Sequence, residues 1–295
     1  AVTADAYWSF IRGAGLDKKI KEWLKDLDVH DVVALKKIGK KIRTSILATP
    51  LPKDIEKEII TAYRLLGKQC KQNNVSVAIR SSATAEDLPG ASFAGQQETF
   101  LHVRTEKEVL IKVRACIASL FTDRAISYRQ AKGFDDTSVA LSVCVQQMVD
   151  ASTGASGVLF TVDTESGFTG VTVVTASYGL GEYVVQGRVI PDQYTVWKEG
   201  IKKNKAAIIG RRLGSKEVKL VAAKKYGTQH QVVPKKDRNT FVLSDSEVMT
   251  LATWGSVIED HYKTPQDIEW VKSGKTGELF IVQARPETVT SQHPH

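Results

Sequence analysis

Residues 75–103 read VSVAIRSSATAEDLPGASFAGQQETFLHV, and the organisation of the chain turns on this stretch. Val75–Ile79 is a short run with apolar side chains on both faces, the pattern of a buried strand. The run stops at Arg80, and the small residues Ser81, Ser82, Ala83 and Thr84 follow. Glu86, Asp87 and a Pro89–Gly90 turn then lead into Ala91-Ser92-Phe93-Ala94-Gly95-Gln96. A guanidinium at the end of a buried strand, followed by unhindered backbone N–H groups, suits an anionic ligand such as phosphate. The spacing fits an ordinary strand–turn–strand loop with one paired arginine equally well, because a loop this poor in glycine is not specific for phosphate.

A second constellation lies near the C-terminus. Gln266–Val271 (QDIEWV) and Glu278–Arg285 (ELFIVQAR) flank a Ser273–Gly277 turn and read as a β-hairpin. Alternation puts Asp267 and Glu269 on one face of the first strand, and Ile281, Gln283 and Arg285 on one face of the second. A register pairing position 269 with 283 would also set Asp267 opposite Arg285. Two carboxylates, an amide oxygen and a guanidinium would then share one patch. Mg²⁺ takes such hard oxygen donors while keeping waters and phosphate oxygens, and an arginine neutralises charge on a transferring phosphoryl group. From spacing alone the patch equally fits a solvent-facing hairpin with a surface ion pair worth at most about 1 kcal/mol.

The 295 residues suffice for one large or two modest domains, and 42% hydrophobic with 25% charged residues is a globular composition. No apolar run approaches the roughly 20 residues of a membrane span. Cys70, Cys116 and Cys144 are widely spaced, and no histidine stands at metal-ligand spacing from them. They read as buried free thiols of a reducing, cytoplasmic protein. The net charge of +8 is concentrated in 18–43 and 201–238. Neither segment interleaves aromatic residues or carries a groove-reading motif, which argues against a nucleic-acid partner.

Along the chain, Thr3 caps a helix through about Gly13, and the helical period continues over Lys18–Leu27 and Asp31–Ala48. Pro52 opens another helix with Ile55, Ile59 and Tyr63 on one face. Thr105–Glu108 and Ser244–Glu247 both fit the capping-box pattern and open helices. Ser138–Val149, Gly157–Val162 and Val171–Ser177 are strand-like runs split by turns, as in antiparallel hairpins. Gln147, Met148 and Val149 leave the first of these, where backbone groups can read an adenine edge and Met and Val can enclose a ring. Met148 as plain core fits the same sequence. Tyr178-Gly179-Leu180-Gly181-Glu182 lacks the third glycine of a dinucleotide fingerprint. Lys216 reads as an exposed basic loop residue, and Arg129 as a surface or structural one.

Arg80–Leu101 (RSSATAEDLPGASFAGQQETFL) closely resembles the signature of the nucleotide-binding domain of the phosphoenolpyruvate-utilising family. That family includes phosphoenolpyruvate synthase, pyruvate, phosphate dikinase and the rifampin phosphotransferases. GLGE (Gly179–Glu182), VVQG (Val184–Gly187) and Pro191–Tyr194 are similar to family wording as well. DTESGF (Asp163–Phe168), HYKTPQDIEW and ARPETV resemble the synthases more than the rifampin enzymes. The resemblance implies an α+β, ATP-grasp-like, two-lobed fold of mostly antiparallel sheets with packed helices. Segments 1–74, 75–137 and 138–295 would form its helical part, its phosphate-loop part and its β-rich second lobe. It further implies that Glu269 and Gln283 hold Mg²⁺ with Asp267 beside them, and that Arg80 and Arg285 bind phosphates as catalytic cations. Ser92, Gly95 and Gln96 would cover the phosphates of ATP, and Gln147, Met148 and Val149 would flank its adenine.

In the family such a domain phosphorylates a histidine on a separate swivelling domain. A barrel domain of the same longer chain binds pyruvate. The overall reaction turns ATP, pyruvate and water into phosphoenolpyruvate, AMP and phosphate. The rifampin-type transferases and a non-catalytic nucleotide-binding module are the alternatives. The family's opening strand with its GGK-type segment, and its phosphorylatable-histidine motif, have no counterpart in these residues. The expectation is therefore a fragment of a longer enzyme that does not complete the reaction alone, with an exposed sheet edge where the opening strand would pair.

Overall fold

The chain folds as two units, Ala1–Met148 and Val149–His295, in a computed structural model that describes residues 1–83, 98–133, 139–203, 205–224 and 227–287. In the first unit Thr3 Oγ1 accepts from Ala6 N at 3.2 Å and starts α1 (Ala4–Gly13). α2 (Leu16–Leu24) follows Gly15. α3 (Val32–Ala48) is capped by Asp31, which accepts from the N–H groups of Val33 and Ala34 at 3.0 Å. α4 (Lys53–Gln69) begins after Pro52. These caps satisfy helix N–H groups that have no intrahelical acceptor.

The chain then makes β1 (Val77–Ala83), β2 (Thr99–Val103), α5 (Glu106–Ser119), α6 (Asp123–Ala131) and β3 (Leu141–Gln147). The sheet order is β2-β1-β3, antiparallel throughout. One core joins Leu35, Ile42 and Ile46 of α3, Ile55, Ile59 and Tyr63 of α4, Val77 and Ile79 of β1, and Val109, Val113 and Cys116 of α5. The apolar run ends at Ile79, yet β1 does not. Ser81, Ser82 and Ala83 continue the ladder opposite Val143, Ser142 and Leu141. β3 belongs to this first unit because its whole length pairs with β1, although its position in the chain groups it with the β-rich stretch beyond residue 138.

The second unit runs β4 (Ala155–Phe160), β5 (Val171–Tyr178), α7 (Glu182–Val185), β6 (Asp192–Trp197), α8 (Lys198–Lys202), β7 (Ile208–Arg212), β8 (Val218–Ala222) and β9 (Thr228–Val232). It ends with α9 (Lys235–Arg238), α10 (Asp245–Tyr262), β10 (Gln266–Lys272) and β11 (Leu279–Pro286). Its main sheet has the order β11-β10-β4-β5-β6-β7, every pair antiparallel, and β8 with β9 forms a separate ribbon. The α+β class with mostly antiparallel sheets and packed helices is the one the sequence leads one to expect. α10 opens on a complete capping box between Ser244 and Glu247 and lays Val248, Leu251 and Ala252 against Leu159, Val174, Ile268 and Trp270. Gly179 has φ +82°, and a Cβ there would overlap the Leu220 carbonyl, so this G-x-G serves the close approach of β8.

Candidate nucleotide and metal site

The hairpin of β10 and β11 has the register that alternation requires: Glu269 opposite Gln283 and Asp267 opposite Arg285. A bulge between Glu269 and Trp270 follows these pairs. Gln266, Ile268 and Trp270 are buried, while Asp267 and Glu269 are half-buried on the other face. The core under α10 thus fixes which way the carboxylates point, since a slip of one residue would turn them into the core. Directly opposed side chains lie about 5 Å apart at Cβ, so a carboxylate oxygen of Glu269 and the amide oxygen of Gln283 can reach one ion.

Arg285 donates through Nε at 2.8 Å and Nη2 at 2.7 Å, both to Oδ2 of Asp267. Asp267 therefore orients the guanidinium through Oδ2. Among the described residues no group of three or more His, Cys, Asp or Glu side chains gathers as a metal cage. A carboxylate and an amide oxygen are instead the donor set of an ion that keeps waters and phosphate oxygens, which fits Mg²⁺.

In the first unit Arg80 lies within β1, opposite Cys144 of β3 and Thr99 of β2, rather than at a strand end. The loop residues Ser92, Gly95 and Gln96 lie outside the described residues. Gln147 closes β3 and is exposed; Met148 and Val149 follow, half-buried. The Met148 N–H donates to Ser76 O at 2.9 Å, and Met148 Sδ accepts from His102 N at 2.9 Å. His102 has φ +56°, a left-handed backbone that directs its N–H at the sulfur. The Met148 N–H is thus taken by Ser76 O within the first unit.

Lys216, Cys70 and Cys144 depart from expectation. Lys216 is fully buried, not an exposed loop residue: its Nζ is hydrogen-bonded to Asp192 Oδ1 and, at 2.9 Å, to Gly214 O. Asp192 also accepts from Gly214 N and Val242 N, each at 2.8 Å. Of the two roles the sequence allows Arg129, it takes the structural one: fully buried, it donates to Leu120 O at 2.6 Å beside the Phe121 ring. Cys144 is exposed and Cys70 intermediate; Cys116 alone of the three thiols is buried. A network the sequence does not reveal joins Thr161, Lys198, Glu259 and Gln266 at the start of β10. Its members lie up to 105 residues apart, beyond any local pattern.

Residues 1–295 match the family model described as the pyruvate phosphate dikinase AMP/ATP-binding domain. Phosphoenolpyruvate synthase of Synechocystis sp. is 50% identical over 99% of the chain, which covers 37% of that protein. The Escherichia coli enzyme of the same name is 49% identical over 99% of the chain, again with 37% of the relative covered. A probable phosphoenolpyruvate synthase of Methanocaldococcus jannaschii is 45% identical over 97% of the chain, which spans 23% of it. The chain thus corresponds to about a third of the length of most of these curated relatives.

Proposed function

The chain belongs to the pyruvate phosphate dikinase AMP/ATP-binding domain family, and from that premise we propose that it is the Mg–ATP-binding portion of a phosphoenolpyruvate synthase. The observation that carries the reading is the β10–β11 register, with Glu269 opposite Gln283 and Asp267 opposite Arg285. In it Glu269 and Gln283 would hold Mg²⁺, with Asp267 beside them. When bound, the ion neutralises phosphate charge and aligns the oxygens that attack and leave. Arg285, held by Asp267, presents its guanidinium to the phosphates. Within the first unit, Arg80, Gln147 and Met148 are further candidates for contact with a nucleotide.

Phosphoryl transfer asks a protein mainly for positioning and charge neutralisation, which such residues provide without forming a covalent bond themselves. The acceptor is a histidine on a swivelling domain of the longer cytoplasmic enzyme, and a barrel domain takes pyruvate onward to phosphoenolpyruvate, with AMP and phosphate as the other products. These residues alone bind nucleotide without turnover. The names of the relatives favour this over an antibiotic phosphotransferase, and pyruvate set against rifampin as acceptor for the full-length protein separates the two.

Calorimetry on the chain tests the site. Mg–ATP should bind, and Glu269→Ala and Arg285→Ala should each weaken binding by about tenfold or more, the loss of one charge-assisted contact. Parental affinity in both variants would remove the hairpin from the site.

A further inference from the structure

The strand that bears Asp267 and Glu269 is anchored by a nearly buried polar network that plays no direct part in nucleotide binding. Glu259, in the last turns of α10, splits its carboxylate: Oε2 accepts from Lys198 Nζ at 2.6 Å and Oε1 from Thr161 Oγ1 at 3.0 Å. Lys198 Nζ also donates to the Thr161 carbonyl at 2.5 Å. Thr161 Oγ1 in turn accepts from Gln266 N at 2.8 Å, and Thr161 N donates to Gln266 O at 3.0 Å. Gln266 Nε2 donates back to Thr264 O and Thr264 Oγ1, each at 3.0 Å, and Glu287 N donates to Pro265 O at 2.8 Å. Thr161 and Gln266 are fully buried, and the Lys198 and Glu259 side chains are only 12% and 20% exposed. Four pieces of the second unit meet on one threonine: the end of β4, the β6–α8 junction, α10 and the first residue of β10.

We infer that Lys198, Glu259 and Thr161 are positioning residues for the metal-binding strand, an inference that rests on the Mg–ATP reading above. The argument is physical. α10 is already held to the sheet by Val248, Leu251 and Ala252 against Ile268 and Trp270. A nearly buried ion pair adds little net stability compared with apolar packing of the same volume. Directional bonds add something packing does not, which is a fixed lengthwise position for the strand they grip. The gripped residue, Gln266, immediately precedes Asp267 and stands three positions before Glu269. Supporting shells of this kind set the orientation of ligating side chains, and losing one costs metal affinity of the order of 10–100-fold.

The test is calorimetric titration of the full chain with ATP, once with Mg²⁺ and once with EDTA, for Lys198→Met, Lys198→Arg, Thr161→Val and Thr161→Ser. Lys198→Met and Thr161→Val should lose about 10–100-fold in Mg–ATP affinity and need more Mg²⁺ for half-saturation, with metal-free ATP binding unchanged. Lys198→Arg and Thr161→Ser, which keep the donor and the hydroxyl, should bind like the parent. Circular dichroism identifies any variant that fails to fold, and Thr161→Val, nearly isosteric, then carries the test. Parental Mg–ATP affinity in Thr161→Val, or an equal loss with and without metal, overturns the inference. Glu269→Gln run alongside separates the two claims. If it too binds like the parent, the site itself is misassigned; if it alone is weakened, only the positioning role falls.

Discussion

Lys216 and Asp192 are both fully buried, so neither charge has water to fall back on. Lys216→Met would leave the Asp192 carboxylate with backbone N–H donors but no counter-charge, and should cost roughly 3–5 kcal/mol, read as a lower urea midpoint. The thiols make a second residue-scale prediction. Burial pushes the Cys116 thiol up to about 12, whereas Cys144 is exposed. A thiol reagent at neutral pH should therefore label Cys144 in the native protein and reach Cys116 only after unfolding, as peptide mapping would show. Legibility at this scale followed distance along the chain. Asp267, Glu269, Gln283 and Arg285 were readable because alternation and one short turn place them. Lys216 looked exposed because its partner Asp192 lies 24 positions away, in β6.

Among the elements, α10 is the most fully specified by its own sequence. Ser244 accepts from Glu247 N, and Glu247 Oε2 accepts in return from Ser244 N at 2.9 Å. Ser244→Ala should cost about 1 kcal/mol in chemical denaturation. Burial raises the Glu247 pKa, but the bonds from Lys272 and Ser244 outweigh it and hold the carboxyl below its ordinary 4.5. A depressed acid contributes its stability above the unfolded value and loses it as pH falls through the lower folded one. The stability gap between the parent and Glu247→Gln should thus be widest near neutrality and close below pH 4.5, followed by denaturation across pH. Thr105 forms half of such a box, since Glu108 reaches Arg104 N instead. Strand limits were less legible. β1 runs on through small hydroxyl residues because β3 offers them partners, and β9 (TQHQV) carries too little apolar alternation to announce itself.

At the scale of the whole molecule, each unit has its own core, one built on α3, α4, α5 and β1, the other on α10 and the large sheet. A ligand that binds only folded protein raises its stability, by about 2.7 kcal/mol at a hundred times its Kd. Mg–ATP should accordingly raise the thermal midpoint, ATP with EDTA should raise it less, and Glu269→Ala should remove most of the difference. The net charge of +8 predicts only weak, salt-labile retention of polynucleotides, checked by elution from a heparin column.

The placement of β10 in the large sheet has a consequence for biosynthesis. It is an inner strand, seated between β4 and β11, yet it leaves the ribosome after nearly all the rest of its unit. Until Gln266–Lys272 emerges, a nascent chain presents one side of β4, with Leu159 and its backbone amides, to any strand nearby. The segment that bears Glu269 is also the stopper for that side. Translation stalled short of it should yield polypeptide that clings to chaperones, so the quality control of this unit and the proposed metal site would be completed by the same seven residues.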